Sequence, residues 1–211
     1  QIAALTGVQL GSLATEQVST LLTDQIVAVS SQQIAAFSTA QIRGITSDQA
    51  RAFEAADLVA FSSVQFSAIS GPSVAALSTD QVASLRLLQI SGLASNQIFA
   101  LNTDQLSALS TLQFRGLSTL QLLAFATDQV VSLSNSQLQV LANTQLSGMA
   151  SDQIHALSTD QLVALTVSQF TAMTSSQVGA LSATKIKDIE SDDLRALATS
   201  TIGALRTDTV V

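Results

Sequence analysis

One histidine, His155, and no cysteine occur in 211 residues, so the chain offers a single imidazole and no thiolate for catalysis or metal ligation. Four aspartates, Asp80, Asp104, Asp128 and Asp152, recur at equal intervals. Such a column of carboxylates attracts cations weakly, or meets the positive ends of helix dipoles. Lys185, Lys187, Asp188, Glu190, Asp192, Asp193 and Arg195 crowd into one short stretch. Four carboxylates there are material for a cation site, but the spacing of a calcium loop with its central glycine is missing. The serines fall at one repeated position without a suitable base or oxyanion partner. There is no phosphate loop and no dinucleotide fingerprint. No catalytic, cofactor-binding or metal-binding residue is assigned, no cofactor is expected, and the chain reads as a non-enzyme.

The elements that carry these residues come from one unit. Twenty-six octads run from Gln1 to Asp208 without insertion or deletion. Position 1 is glutamine in twenty-one of them, from Gln1 to Gln177. Position 5 is large and apolar in all twenty-six, and position 2 in twenty-five, Ala50 being the exception. Position 4 is Ala, Gly or Ser almost throughout. Fixed-period self-similarity implies stacked units, none able to bury its apolar face alone.

A continuous helix does not suit this period. One octad turns an α-helix through about 800°, so the apolar stripe would drift around it by about 80° per octad. A strand does not suit it either, because positions 2 and 5 would face opposite sides. A short helix places them on one face. Position 6 is usually Ser, Thr or Ala, and the glutamine follows at the third position after it, as in Ser78-Thr79-Asp80-Gln81, Ser158-Thr159-Asp160-Gln161 and Thr46-Ser47-Asp48-Gln49. This is the capping-box pattern. Each octad is therefore expected to form one short capped helix, stable only against its neighbours. Position 4 is expected to be small so that adjacent helices approach closely. The glutamine either completes the cap or joins an amide ladder along the stack.

A second period lies inside the first. The aspartates above recur every third octad, as do Val64, Leu88 and Leu112, and the octad at Gln41-Ile42-Arg43-Gly44 recurs nine octads later as Gln113-Phe114-Arg115-Gly116. The fold expected is an all-α solenoid with about three octads per superhelical turn, two being the alternative. It spans residues 1–208, is irregular near 50–73, and carries a polar cap over 185–208; residues 209–211 begin a further repeat or a tail. Asp24 and Asp48 share one phase and Asp80 to Asp152 another, so a rephasing is expected near Gly71 and Pro72. Pro72 itself suits the first turn of a helix. Position 3 carries Arg43, Arg51, Arg115, Gln139 and Lys187 as well as His155, and is expected to face solvent. Thr and Ser at position 7 would form a hydroxyl array for an ordered surface such as ice or polysaccharide, but Gly7, Ala55, Leu87 and Val167 interrupt it.

Composition narrows the partners. Apolar residues make up 47% and charged residues 11%, where about a quarter charged is usual. Disorder goes with the opposite balance. Apolar residues never run for the roughly 20 positions a spanning helix needs, so membrane insertion is not expected. Eight scattered Lys and Arg within a net charge of −7 make no basic footprint for nucleic acid. The repeat is in phase at both ends, which reads as an excerpt whose partner is another copy end to end, or the rest of a longer chain.

The tracts Leu77-Ser78-Thr79-Asp80-Gln81-Val82 and Leu157-Ser158-Thr159-Asp160-Gln161-Leu162 resemble octapeptide tracts of very large bacterial surface or secreted proteins, often labelled adhesin-, autotransporter- or haem-utilisation-like. The resemblance implies a non-enzymatic stalk, spacer or self-associating fibre segment, extracellular or on the cell surface. A solenoid binding scaffold for protein, polysaccharide or ice is the alternative.

Overall fold

The chain stops and restarts its helix once per octad. Ser38, Ser78 and Ser158 at position 6 are extended, with ψ of 157°, 162° and 164°, and each opens a helix: Thr39–Arg43, Thr79–Ser84 and Thr159–Val163. Position 5 returns the chain to extended backbone, as at Phe53, Leu85 and Leu101. A computed structural model describes residues 2–205, which contain twenty-five α-helices of four to six residues, one 3-10 turn at Ile2–Ala4, and no strand. Gln1 and residues 206–211 lie outside the described residues, and with them the end of the expected polar cap and the expected tail.

Both halves of the capping box form where a hydroxyl at position 6 is followed by the position-1 glutamine. The Gln41 N–H donates to Ser38 Oγ at 3.2 Å, and the Ser38 N–H donates to Gln41 Oε1 at 2.8 Å. The hydroxyl half is dispensable. Where position 6 is alanine the side chain has no acceptor, yet Ala94, Ala126 and Ala142 still donate their N–H to Gln97, Gln129 and Gln145 Oε1 at 2.7, 2.7 and 2.6 Å. Leu22 and Arg86 behave alike toward Gln25 and Gln89. The glutamine, more than the serine, closes the helix start.

Packing has the three-octad period. Within each unit helices rest on the third one after them: Thr15–Ser19 on Thr39–Arg43, Thr23–Val27 on Ser47–Ala52, Thr119–Leu123 on Asn143–Ser147. The chain is an all-α solenoid with three octads per turn. Positions 2 and 5 form its core. Position 2 sits deeper, as in Ile34 at 0% exposure against Phe37 at 4%. Two compact units, Gln1–Leu109 and Ser110–Val211, are each built this way.

Position 4 is small because it lies over position 7 of the turn before. A Cβ on Gly44 would stand 2.6 Å from Thr15 Cγ2 and 3.1 Å from the Thr15 carbonyl oxygen. In the second unit a Cβ on Gly148 would collide with Thr119 Cγ2. Thr15 and Thr119 thus commit their methyl groups to packing and are half-buried, whereas Thr23, Thr79, Thr111 and Thr127 at the same position are exposed.

The stretch from 50 to 73 departs from the consensus without breaking the stack. Glu54 opens Ala55–Leu58 with no side-chain cap. Ala50 shrinks one core site, while Phe53, Phe61 and Phe66 stack edge to face nearby, with centroids 5.4 and 6.5 Å apart. Pro72 lies in the first turn of Gly71–Ala75, capped by Ser70. That helix packs on Ser47–Ala52 and on Ser95–Ala100 with the period unchanged, so no rephasing occurs there. Asp24 and Asp48 simply lie on a different side of the coil from Asp80 and Asp104.

Gly44→Leu should lower the unfolding free energy by about 1–3 kcal/mol through overpacking. Gly44→Ala should cost less than Gly44→Leu, since one added methyl asks only that the Thr15 side chain turn and its carbonyl at 3.1 Å shift slightly. Urea unfolding of the two variants checks this; equal effects would show that the contact with Thr15 is not what keeps position 4 small.

Candidate functional site

The glutamine does more than cap. Its amide has one carbonyl oxygen and two N–H donors. Oε1 accepts from the N-cap N–H of its own helix, and Nε2 reaches the turn before. Gln41 Nε2 donates to the carbonyls of Leu10 and Leu13 at 2.9 and 2.7 Å; Gln49 Nε2 donates to Val18 and Leu21, both at 2.8 Å. The second unit repeats this: Gln153 to Leu122 and Phe125 at 2.9 and 2.8 Å, and Gln177 to Leu146 and Met149, both at 2.8 Å. In all four the acceptors lie 31 and 28 residues back. They are the backbone carbonyls of positions 2 and 5, the residues whose side chains make the core. The position-2 carbonyl also accepts from the position-5 N–H, as Leu10 does from Leu13 at 3.1 Å, whereas the Leu13 carbonyl takes its donor from the next turn. From Gln33 to Gln177 these glutamines are buried. No glutamine ladder forms in the bonds just described, since Nε2 goes to backbone carbonyls.

Five octads lack glutamine at position 1, and the replacements behave differently. Ser73 Oγ donates to the Ile45 carbonyl at 2.8 Å, again 28 residues back. Lys185 Nζ donates to the His155 carbonyl, and burial lowers its pKa from the ordinary lysine value. Thr201 Oγ1 donates to Ala198 at 2.7 Å within its own helix. Asp57 has no proton to give and instead accepts from Ser31 Oγ at 2.8 Å. Asp193 is buried, and its carboxyl makes no hydrogen bond among the described residues.

A second set of bonds between turns escaped the reading of the sequence. Arg51 Nε donates to the Ala76 carbonyl at 3.3 Å, Gln139 Nε2 to Ala164 at 2.8 Å, and His155 Nδ1 lies 2.6 Å from the Ala180 oxygen. A carbonyl cannot donate, so the imidazole proton is on Nδ1. All three run from position 3 to position 4 of the next turn, 25 residues on. His155 is exposed, as its position suggested, but it also ties two turns together. The signal was a long donor at position 3 followed, one turn and one position later, by an alanine.

Asp80, Asp104, Asp128 and Asp152 are exposed on the first turns of their helices. In the acidic stretch Asp188, Glu190 and Asp192 are exposed, Asp192 pairing with Arg195 at 2.9 Å, while Asp193 turns inward. Among the described residues no group of three or more His, Asp or Glu converges as metal ligands. No helix there is long and apolar enough to cross a membrane. In the second unit Ile186, Ile189, Leu194, Leu197, Ile202 and Leu205 line an apolar hollow of about 570 Å³.

Three stretches of the chain, residues 23–54, 50–86 and 98–135, match the model of the ALTTAQ repeat. The octads are similar to that repeat. No curated protein matches the chain. The hexapeptide in the repeat's name follows the octad from position 4 to the next position 1, as in Ala36-Phe37-Ser38-Thr39-Ala40-Gln41 and Ala76-Leu77-Ser78-Thr79-Asp80-Gln81. Its letters thus mark the small contact, the core residue, the cap, the threonine under the next turn, and the bridging amide. The chain is a structural repeat module.

Gln41→Glu keeps an oxygen for the Ser38 N–H but removes both donors to Leu10 and Leu13. It should lower the unfolding free energy by about 1–3 kcal/mol, because the Leu13 carbonyl loses its donor while the Leu10 carbonyl keeps the Leu13 N–H at 3.1 Å. Gln9→Glu tests the cap alone. Gln9 is exposed and accepts from Thr6 N–H at 2.8 Å with no described turn beneath it. Its replacement should change stability by less than about 0.5 kcal/mol. Equal losses in chemical denaturation would refute the bridge between turns.

Proposed function

We propose that this chain is a stalk, spacer or self-stacking fibre segment of a bacterial surface or secreted protein, extracellular or at the cell surface, with no catalytic activity. The observation that carries the reading is the destination of the repeated side chains. Position 1 bonds the turn before, positions 2 and 5 fill the core, and position 4 packs on position 7. The residues that recur are consumed by joining one turn to the next, so repetition adds length rather than new chemistry. Resemblance of the 77–82 and 157–162 tracts to octapeptide tracts of bacterial surface proteins supports the location.

Self-stacking would reuse the groups that join one turn to the next. Gln9, Gln17 and Gln25 cap their own helices but have no described turn beneath them to receive Nε2. The hollow lined by Ile186 to Leu205 is the apolar surface on which a further turn would rest. Another copy, or more of a longer chain, would supply complementary groups at both places. The second reading, a binding scaffold, is favoured by large apolar side chains left exposed on outer positions: Val64 and Leu88 in the first unit, Leu112 and Leu120 in the second.

Chains with whole three-octad turns added or removed separate the two by small-angle scattering. A spacer should change its maximum dimension by about 8–10 Å per turn, the usual spacing of packed helices. A maximum dimension that does not track octad number sinks the spacer reading, and retention of a defined protein or polysaccharide on the immobilised chain would favour the scaffold.

A further inference from the structure

Of the position-1 residues described, only Asp193 has a side chain without a hydrogen bond. It occupies the third residue of Ser191–Ala196, which packs on Val167–Ala172 one turn earlier, and it is 7% exposed. By the spacing that Gln153 and Gln177 keep, the carbonyls it should serve are Leu162 and Leu165, 31 and 28 residues back. A carboxylate cannot serve them, because it only accepts. Asp57 shows how the coil accommodates a carboxylate at this position: Ser31, 26 residues earlier, donates to it. The residue at the same offset before Asp193 is Val167, which has nothing to donate. Ser73 shows that even a short side chain with a proton reaches the carbonyl 28 residues back.

The charges around Asp193 also oppose ionisation. Glu190 and Asp192 flank it on its own helix, and the Arg195 guanidinium is turned to Asp192. Lys185 donates to the His155 carbonyl, while Lys187 and Asp188 are exposed. The packed helix Val167–Ala172 contributes no titratable side chain. Burial, then Glu190, then Asp192 push the Asp193 carboxyl above the usual carboxylate range.

We propose that Asp193 is a proton-operated bridge: protonated, it donates to the Leu165 carbonyl and ties Ser191–Ala196 to the turn before; ionised, it releases that helix. The folded chain then holds the proton more tightly than the unfolded chain. The stabilisation is complete below about pH 4, the unfolded carboxyl value, and is lost as pH rises through the raised folded value. This device is local and does not rest on the stalk reading.

Amide hydrogen exchange of the full chain between about pH 3.5 and 7 tests it, with each rate divided by its intrinsic value. Protection of Ser191–Ala196 should fall about fivefold as pH rises, the worth of one neutral hydrogen bond. In Asp193→Gln it should be independent of pH and at least as high as the low-pH wild-type level. Asp193→Asn, which keeps the size and cannot ionise, should also show no fall and decides the matter if Asp193→Gln disturbs the segment. Wild-type protection that is flat or rises with pH overturns the proposal. So does a fall that persists in Asp193→Asn, which would assign the titration to Glu190 or Asp192.

Discussion

A primary amide with one acceptor and two donors is the group on which this fold depends. Helices this short expose nearly all of their terminal N–H and C=O groups. A coil of such helices would bury many of them unpaired, at a cost of about 1–3 kcal/mol each. The position-1 glutamine answers both ends at once. Oε1 takes the N-cap N–H of its own helix, as in Gln41 with Ser38, and Nε2 takes two C-terminal carbonyls of the turn before, as in Gln41 with Leu10 and Leu13. Glutamate would cap equally well, yet it occupies position 1 nowhere. Of the two, only the neutral amide donates to the neighbouring turn, and it is buried with no charge to compensate.

The remaining repeated positions follow from that bond. For Nε2 to reach two carbonyls, successive turns must come close, and close approach leaves no room for a large side chain at position 4. Gly44 over Thr15 and Gly148 over Thr119 are the tightest cases. The acceptor carbonyls belong to the residues of positions 2 and 5, so the same residues that fill the core with their side chains hold the next turn with their backbone. Packing and hydrogen bonding therefore share one geometry, and neither can slip by a residue without losing the other. Long donors at position 3, such as Arg51 and Gln139, add a bond on the outer side, toward the following turn.

Much of this was legible in the residues. The Ser-x-x-Gln spacing marked the helix breaks, the apolar residues at positions 2 and 5 marked the core, and the recurrence of Asp80, Asp104, Asp128 and Asp152 in every third octad pointed to three octads per turn. What was not legible was partnership across turns. The capping box explains glutamine locally and gives no reason to prefer it over glutamate. That reason appears only when Leu10 and Leu13 are brought under Gln41. The rephasing expected at Gly71 and Pro72 does not occur, because Asp24 and Asp48 lie on a different side of the coil from Asp80 and Asp104. Any side can carry aspartate at position 8, where only the helix dipole and solvent constrain it. His155 was read as merely exposed because its acceptor, Ala180, belongs to the following turn and leaves no mark on the side chain's own surroundings in sequence.

The direction of the bonds makes the coil cooperative in a particular sense. Within each unit position-1 residues donate backward, so a position-5 carbonyl such as that of Leu13 is satisfied only when the next turn is in place. Stability then rises with neighbours rather than residing in any single octad, as in other solenoids whose units are too small to fold alone. It also makes substitutions at position 1 unequal. Serine, lysine and threonine still carry a proton to give, and Ser73, Lys185 and Thr201 each find an acceptor. A carboxylate does not, and needs a donor brought to it, as Ser31 is to Asp57. The consensus at this position is thus a requirement for donors, and departures from it are tolerated to the extent that they meet that requirement by another route.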